Sequence, residues 1–138
     1  MDLKAFMIED KEEIIEYIAS NRFKDENGNP IPWKLKTITA KENDELRAQC
    51  YKQVPVQGKR NHFKQEFITG KYLELLALKC IVEPNLNSAE LQDFYHVMKP
   101  EDLLKEHLLK PAEYDDLVVK LQEINGYDIN EEIEEAKN

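Results

Sequence analysis

The sequence predicts an α+β fold, mostly α: an N-terminal β-hairpin over residues 15–39, a helical core over 40–126 built as a bundle of about five short to medium helices, and an acidic tail over 127–138. Three observations point there. The cluster "KDENGNPIP" joins Asn-Gly to Pro, strong turn signals, and the following "WKLKTIT" alternates like a strand. Beyond residue 40 the apolar residues fall mostly at helical spacing. Prolines at 84, 100 and 111 punctuate that region as helix stops and first-turn residues. A chain of 138 residues fits one domain and can bury a core without a metal or disulfide staple.

In order along the chain, residues 1–10 show no sustained period and are expected to be mobile. "EEIIEYIASNRF" fits a helix face at Ile14, Ile15 and Ile18 and a strand at Tyr17, Ala19, Asn21 and Phe23. The turn and strand that follow favour the hairpin. Within "WKLKTIT", Trp33, Leu35 and Thr37 face one way and Lys34, Lys36 and Ile38 the other.

Thr39 and Glu42 have the spacing of a capping box and open the helix "AKENDELRAQCYK", whose thin apolar stripe is Leu46 and Cys50. "VPVQGKRNHF" breaks it at Pro55 and Gly58. "QEFITGKYLELLALKCIVE" is the next helix; between Tyr72 and Val82 only Glu74 and Lys79 are charged, so it is expected to be the central, buried one. After Pro84, Asn87 or Ser88 caps a short helix "AELQDFYHV". Pro100 and Pro111 start "PEDLLKEHLL" and "PAEYDDLVVKLQEIN", and Gly126 is placed to end the latter.

Formal net charge is −9, which argues against nucleic acid as a partner. The charge is uneven. Both ends are acidic, while residues 46–71 hold Arg47, Lys52, Lys59, Arg60, Lys64 and Lys71 against Glu66 alone. That stretch is either a solvated loop or a dock for an acidic partner or for the chain's own acidic ends. Cys50 and Cys80 lack ligand spacing and are expected to be free thiols in a reducing compartment. No apolar run is long enough to span a membrane and the N-terminus is too acidic for a signal peptide, so the chain is expected in the cytoplasm.

No chemistry is expected. Four glycines arranged in no phosphate-binding motif, and three histidines without metal-ligand pairing, leave no cofactor, metal or catalytic set. Asp93–Tyr95–His96 fails as a relay, because only Asp93 and His96, three apart, are neighbours on a helix and neither is a nucleophile. Leu91, Phe94 and Tyr95 are expected to make core contacts. "DENGN" lacks the acid spacing and closing Glu of a calcium loop, and a turn explains it.

Several segments, in order over roughly residues 15–128, resemble the XkdN-like tail assembly chaperones of tailed phages and phage-derived elements of Gram-positive bacteria. They include "SNRFKDENGNPIPWKLKTITAKENDELRAQC", "VPVQGKR" and "KYLELLALKCIVE", with "PNLNSAELQDFY" and "KLQEINGYD" the most specific. The family tends to carry Gly after the Tyr, where this chain has His96, and Gly or a small residue near Lys99; the replacement predicts that the helix of 88–96 runs on. The resemblance implies a non-enzymatic protein of the host bacterial cytoplasm. It would bind the tape measure protein, help tail tube subunits polymerise around it, and be absent from the finished particle. The alternative is a structural tail component retained in the virion. Such chaperones are often made in two forms by ribosomal frameshifting. Ala136-Lys137-Asn138 can be encoded across a slippery adenine run, so a longer product is expected unless Lys137 is encoded by AAG with no downstream overlapping frame.

A chaperone of this kind would hold a helical or unfolded segment in an apolar groove. Leu86, Leu91, Phe94, Met98 and Leu108 are the candidate lining residues; the alternative is that all five are core. A homo-oligomer is possible.

Overall fold

In the computed structural model, which describes residues 1–128, strands and helices are interleaved along the chain. The elements are β1 (Ile14–Tyr17), β2 (Trp33–Lys36), α1 (Ala40–Ala48), β3 (Tyr51–Pro55), β4 (Phe63–Phe67), α2 (Thr69–Cys80), β5 (Ile81–Glu83), α3 (Ala89–Phe94), α4 (Pro100–Asp102) and α5 (Pro111–Ile124). A π-helical stretch, Leu103–Leu108, continues α4, and a 3-10 turn, Leu3–Phe6, precedes β1 with every residue exposed. Residues 129–138 of the acidic tail, and with them the frameshift expectation at Lys137–Asn138, lie outside the described residues.

The expected pairing of β1 with β2 is present and antiparallel, with Ile14 opposite Lys36 and Tyr17 opposite Trp33. Asp25 shapes the connecting turn: Oδ1 accepts from the amides of Asn27 and Asn29, and Gly28 takes φ +82°. The period-2 pattern of β2 holds, with Trp33 and Leu35 buried and Lys34 and Lys36 half-buried.

The expected architecture, an N-terminal hairpin followed by an all-helical bundle, is overturned; the α+β class itself stands. β5 adds to the free edge of β2, giving a three-stranded sheet of order β1-β2-β5, and β3 and β4 form a second, two-stranded sheet. The first helix therefore ends at Ala48, not Lys52, and the central helix begins at Thr69, not Gln65, and stops at Cys80. Two β-branched residues, Ile81 and Val82, followed by Glu83 before Pro84, favour extended backbone over another helical turn.

α2 is central as expected. It packs on α1, α4, α5 and β5, and Leu76, Ala77 and Cys80 are fully enclosed. The core around it includes Leu35, Cys50, Leu103, Leu104, Leu117 and Leu121. The wider winding of the π-helical stretch, with the Leu109 amide bonded to the Leu104 carbonyl, turns Leu103 and Leu108 inward together. Both cysteines are free and buried, and burial pushes the Cys80 thiol up to about 11.

The caps agree with the sequence except at one end. Thr39 Oγ1 accepts from the Glu42 amide at 3.1 Å while Glu42 Oε1 accepts from the Thr39 amide at 3.0 Å. Ser88, rather than Asn87, caps α3. The expectation that the 88–96 helix runs on is overturned. α3 ends at Phe94, and His96 takes φ +59°. Its amide bonds to the Asp93 carbonyl and that of Val97 to the Gln92 carbonyl, the two bonds of a Schellman stop with His96 at the position glycine usually takes. An L residue there is strained by roughly 1–2 kcal/mol, partly offset by the greater unfolded-state freedom of glycine. His96→Gly is therefore expected to stabilise the fold by about 0.5–1 kcal/mol, read as a Tm rise of roughly 2–4 °C; a lowered Tm would contradict this account of the turn.

Candidate partner-binding groove

α3 is short and buries none of its residues completely. It is held by bonds at its ends. Asn85 Oδ1 accepts from the Asn87 amide, Ser88 Oγ accepts from the Leu91 amide, and Gln92 Nε2 donates to the Leu86 carbonyl at 2.7 Å. So anchored, the helix stands over an apolar groove of about 410 Å³ lined by Phe23, Ile31, Pro32, Trp33, Glu83, Pro84, Leu91, Tyr95 and Leu108. Leu91 also lines a shallower depression with Asn85, Ser88, Glu90, Asp93 and Phe94, so the two run together across the helix.

The five predicted lining residues separate. Leu91 sits in the groove, half-buried. Leu108 is 3% exposed and forms part of its floor, and Leu86 is 4% exposed and belongs to the core. Phe94 is 72% exposed and Met98 92%. The expected core contact of Phe94 is thus absent. Among the described residues its ring contact is a T-shaped one with Tyr95, at 4.8 Å and 86°, while Tyr95 stacks on His107 at 4.9 Å. Phe23, Ile31, Pro32, Trp33 and Pro84 went unpredicted because they converge from a loop and two strand ends. The available signal was Ile31-Pro32-Trp33, an apolar run emerging directly from a turn.

Arg22 fixes the back wall. Its guanidinium lies 5.2 Å over the Phe23 ring, donates to the Leu108 carbonyl and pairs with Glu113 at 3.2 Å. Glu113 also accepts from the Lys110 amide at 2.8 Å. That amide above all, then the Ser20 hydroxyl and Arg22, holds its carboxyl below the usual carboxylate range. A depressed folded pKa adds stability that is complete above the unfolded value, near 4.5, and is lost as pH falls through the folded value. Glu113→Gln is expected to flatten the acid limb of the Tm–pH profile; an unchanged limb would contradict this role. Glu83 lines the groove and pairs with Lys34 at 3.7 Å, and Glu90 and Asp93 line the adjoining depression.

The model of the phage XkdN-like tail assembly chaperone family matches residues 3–137. The chain belongs to that family. It is 34% identical to YqbN, an uncharacterised protein of Bacillus subtilis (strain 168), over 98% of this chain and 91% of that one. It is 32% identical to XkdN of the phage-like element PBSX of the same organism, over 99% and 94%. The crystal structure of YqbN superposes with a TM-score of 0.74 at 28% identity, covering 93% of this chain and 98% of that one.

The two stretches read in the sequence as the most specific each hold part of the fold, the first beside the groove and the second away from it. In "PNLNSAELQDFY", Asn85, Ser88 and Gln92 make the bonds that seat α3. In "KLQEINGYD", Asn125 Oδ1 accepts from the Ile38 amide at 2.9 Å and its Nδ2 donates to the Leu121 carbonyl at 2.7 Å, tying α5 to the end of β2. Gly126, at φ +96°, ends α5 in a second Schellman stop. Tyr127 Oη accepts from Asn43 and Arg47 of α1, and Asn43 accepts in turn from the Tyr72 hydroxyl. Among the described residues, no group of three or more His, Cys, Asp or Glu could hold a metal ion, and no helix is long and apolar enough to cross a membrane.

Proposed function

We propose that this tail assembly chaperone binds the tape measure protein through the α3 groove and assists tail tube polymerisation in the host bacterial cytoplasm, without catalysis. One observation carries the choice of surface: α3 presents Leu91 and Phe94 beside an open apolar groove and buries no residue of its own completely. A side chain as large and as exposed as Phe94, continuous with such a groove, fits an interaction site. Glu90 and Asp93, in the depression beside the groove, favour one occupant: an amphipathic helix whose apolar anchors enter the groove and whose Lys or Arg meet those two carboxylates.

Co-expression with the tape measure and tail tube proteins of the same element, followed by pull-down, tests the assignment. A stable complex with the tape measure protein is expected, along with absence of the chaperone from purified particles by mass spectrometry. Retention in the particle in stoichiometric amount would instead favour a structural tail component.

A further inference from the structure

The β3–β4 arm has no part in the groove. Its two strands pair only with each other, and nearly all of their residues are exposed. The register sorts its side chains onto two faces. Tyr51, Gln53 and Pro55 lie opposite Phe67, Gln65 and Phe63 on one face, and Lys52 and Val54 lie opposite Glu66 and Lys64 on the other. Lys59 and Arg60 belong to the connecting tip, where the Lys59 amide bonds to the Val56 carbonyl. Cations thus run from near the root of the arm to its end. In residues 51–67 Lys52, Lys59, Arg60 and Lys64 stand against Glu66 alone, a net charge of +3 in a chain of net −9. Among the described residues, none of these four cations forms an ion pair; the pairs present use other Lys and Arg residues.

Two stretches of the same chain carry the complementary sign. Residues 9–16, "EDKEEIIE", lead into β1, and their ion pairs are with Lys11 and Lys36, not with the arm. The other stretch is residues 129–138, "INEEIEEAKN", with four acids and one Lys, a net charge of −3. The described chain delivers that segment to the root of the arm. Tyr127 Oη accepts from Arg47 at 3.1 Å, next to the end of α1. The Arg47 guanidinium lies 5.7 Å over the Tyr72 ring, and Tyr72, Phe67 and Tyr51 form a chain of ring contacts into the arm. The ten residues from 129 to 138 reach at most about 33 Å when extended, and a strand the length of β3 spans roughly 17 Å. We propose that residues 129–138 dock on the basic face and tip of the β3–β4 arm of the same molecule, an intramolecular strap whose carboxylates meet Lys52, Lys64, Lys59 and Arg60. Charges of −3 and +3 cancel in the docked state. The short tether keeps the two at high effective concentration, so that exposed ion pairs that are weak singly act together. The contact weakens as salt rises, and an acidic partner reaches the arm only by displacing the strap.

Carbodiimide cross-linking of the full-length protein at low salt, as an equal mixture of unlabelled and nitrogen-15-labelled chains, tests this. Amide links from Lys52, Lys59 or Lys64 to Glu131, Glu132, Glu134 or Glu135 are expected, each within a chain of one label. Their yield is expected to fall at least roughly tenfold at about 1 M salt, where the Debye length is about 3 Å. Arg60→Glu removes a cation without removing a reactive amine, and is expected to lower the yield at Lys59 and Lys64 by roughly threefold. Absence of these links overturns the proposal. So do links that join chains of different label, which put the segment on another copy, and links that go instead to Lys34 or Lys36 of the three-stranded sheet. A yield that neither salt nor Arg60→Glu lowers overturns it as well.

Discussion

Phe94→Asp is expected to leave the protein folded and to abolish capture of the tape measure protein. The ring is 72% exposed and its one aromatic neighbour is Tyr95. Its removal from the free chaperone forfeits part of one edge-to-face contact, worth about 0.5–1.5 kcal/mol, and opens no cavity. A central aromatic anchor in an interface is worth about 2 kcal/mol or more, roughly 30-fold in Kd, and an unpaired carboxylate put in its place adds a desolvation cost. Glu90 and Asp93 line the same depression, so the new carboxylate adds to a local group of like charges. Pull-down measures the binding loss and thermal unfolding measures the fold. Retained capture by a folded Phe94→Asp protein would remove Phe94 from the interface, whereas an unfolded variant would make it a core residue after all.

Asn125→Ala carries the largest expected effect on stability, about 2 kcal/mol, or a fall in Tm of roughly 8 °C. The amide is used on both sides: Oδ1 accepts from Ile38 and Nδ2 donates to Leu121, with the Cys80 sulfur 3.8 Å away. Alanine leaves the partly buried Ile38 amide without its acceptor. Asn125→Asp separates the contributions, since it keeps an acceptor for Ile38, loses the donor to Leu121 and sets a charge beside Cys80. Equal stability of wild type and Asn125→Ala would mean that the "KLQEINGYD" stretch does not hold α5 to the sheet in the way described.

The parts of the fold legible in the sequence were those with one face in the core. Trp33 and Leu35 alternate because β2 is covered on one side, and the dense apolar run of α2 reflects a helix enclosed on several sides. β3 and β4 left no such trace. Both faces of that arm are largely exposed, so Lys, Gln and Glu occupy it without alternation, and Pro55 and Gly58 marked only a break. β5 was absorbed into the helical run because three residues carry too little period to stand out, although Ile81 and Val82 near Pro84 held the local signal. His96 misled for a different reason. Loss of glycine suggested a continuing helix, yet Val97 and Gln92 still close the Schellman bond pair and His96 takes the left-handed conformation. Of the predicted residues, Leu91 and Leu108 line the groove and Phe94 lines the depression beside it; the far wall converges from segments that sequence spacing does not bring together.

The central claim, that the partner lies in the groove beside α3, is tested most directly by hydrogen–deuterium exchange of the chaperone alone and in complex with the tape measure protein. New protection is predicted in residues 84–98 and 22–33, with little change at the β3–β4 tip, residues 56–62. Protection confined to other surfaces, with exchange in residues 89–98 unaltered, would contradict it.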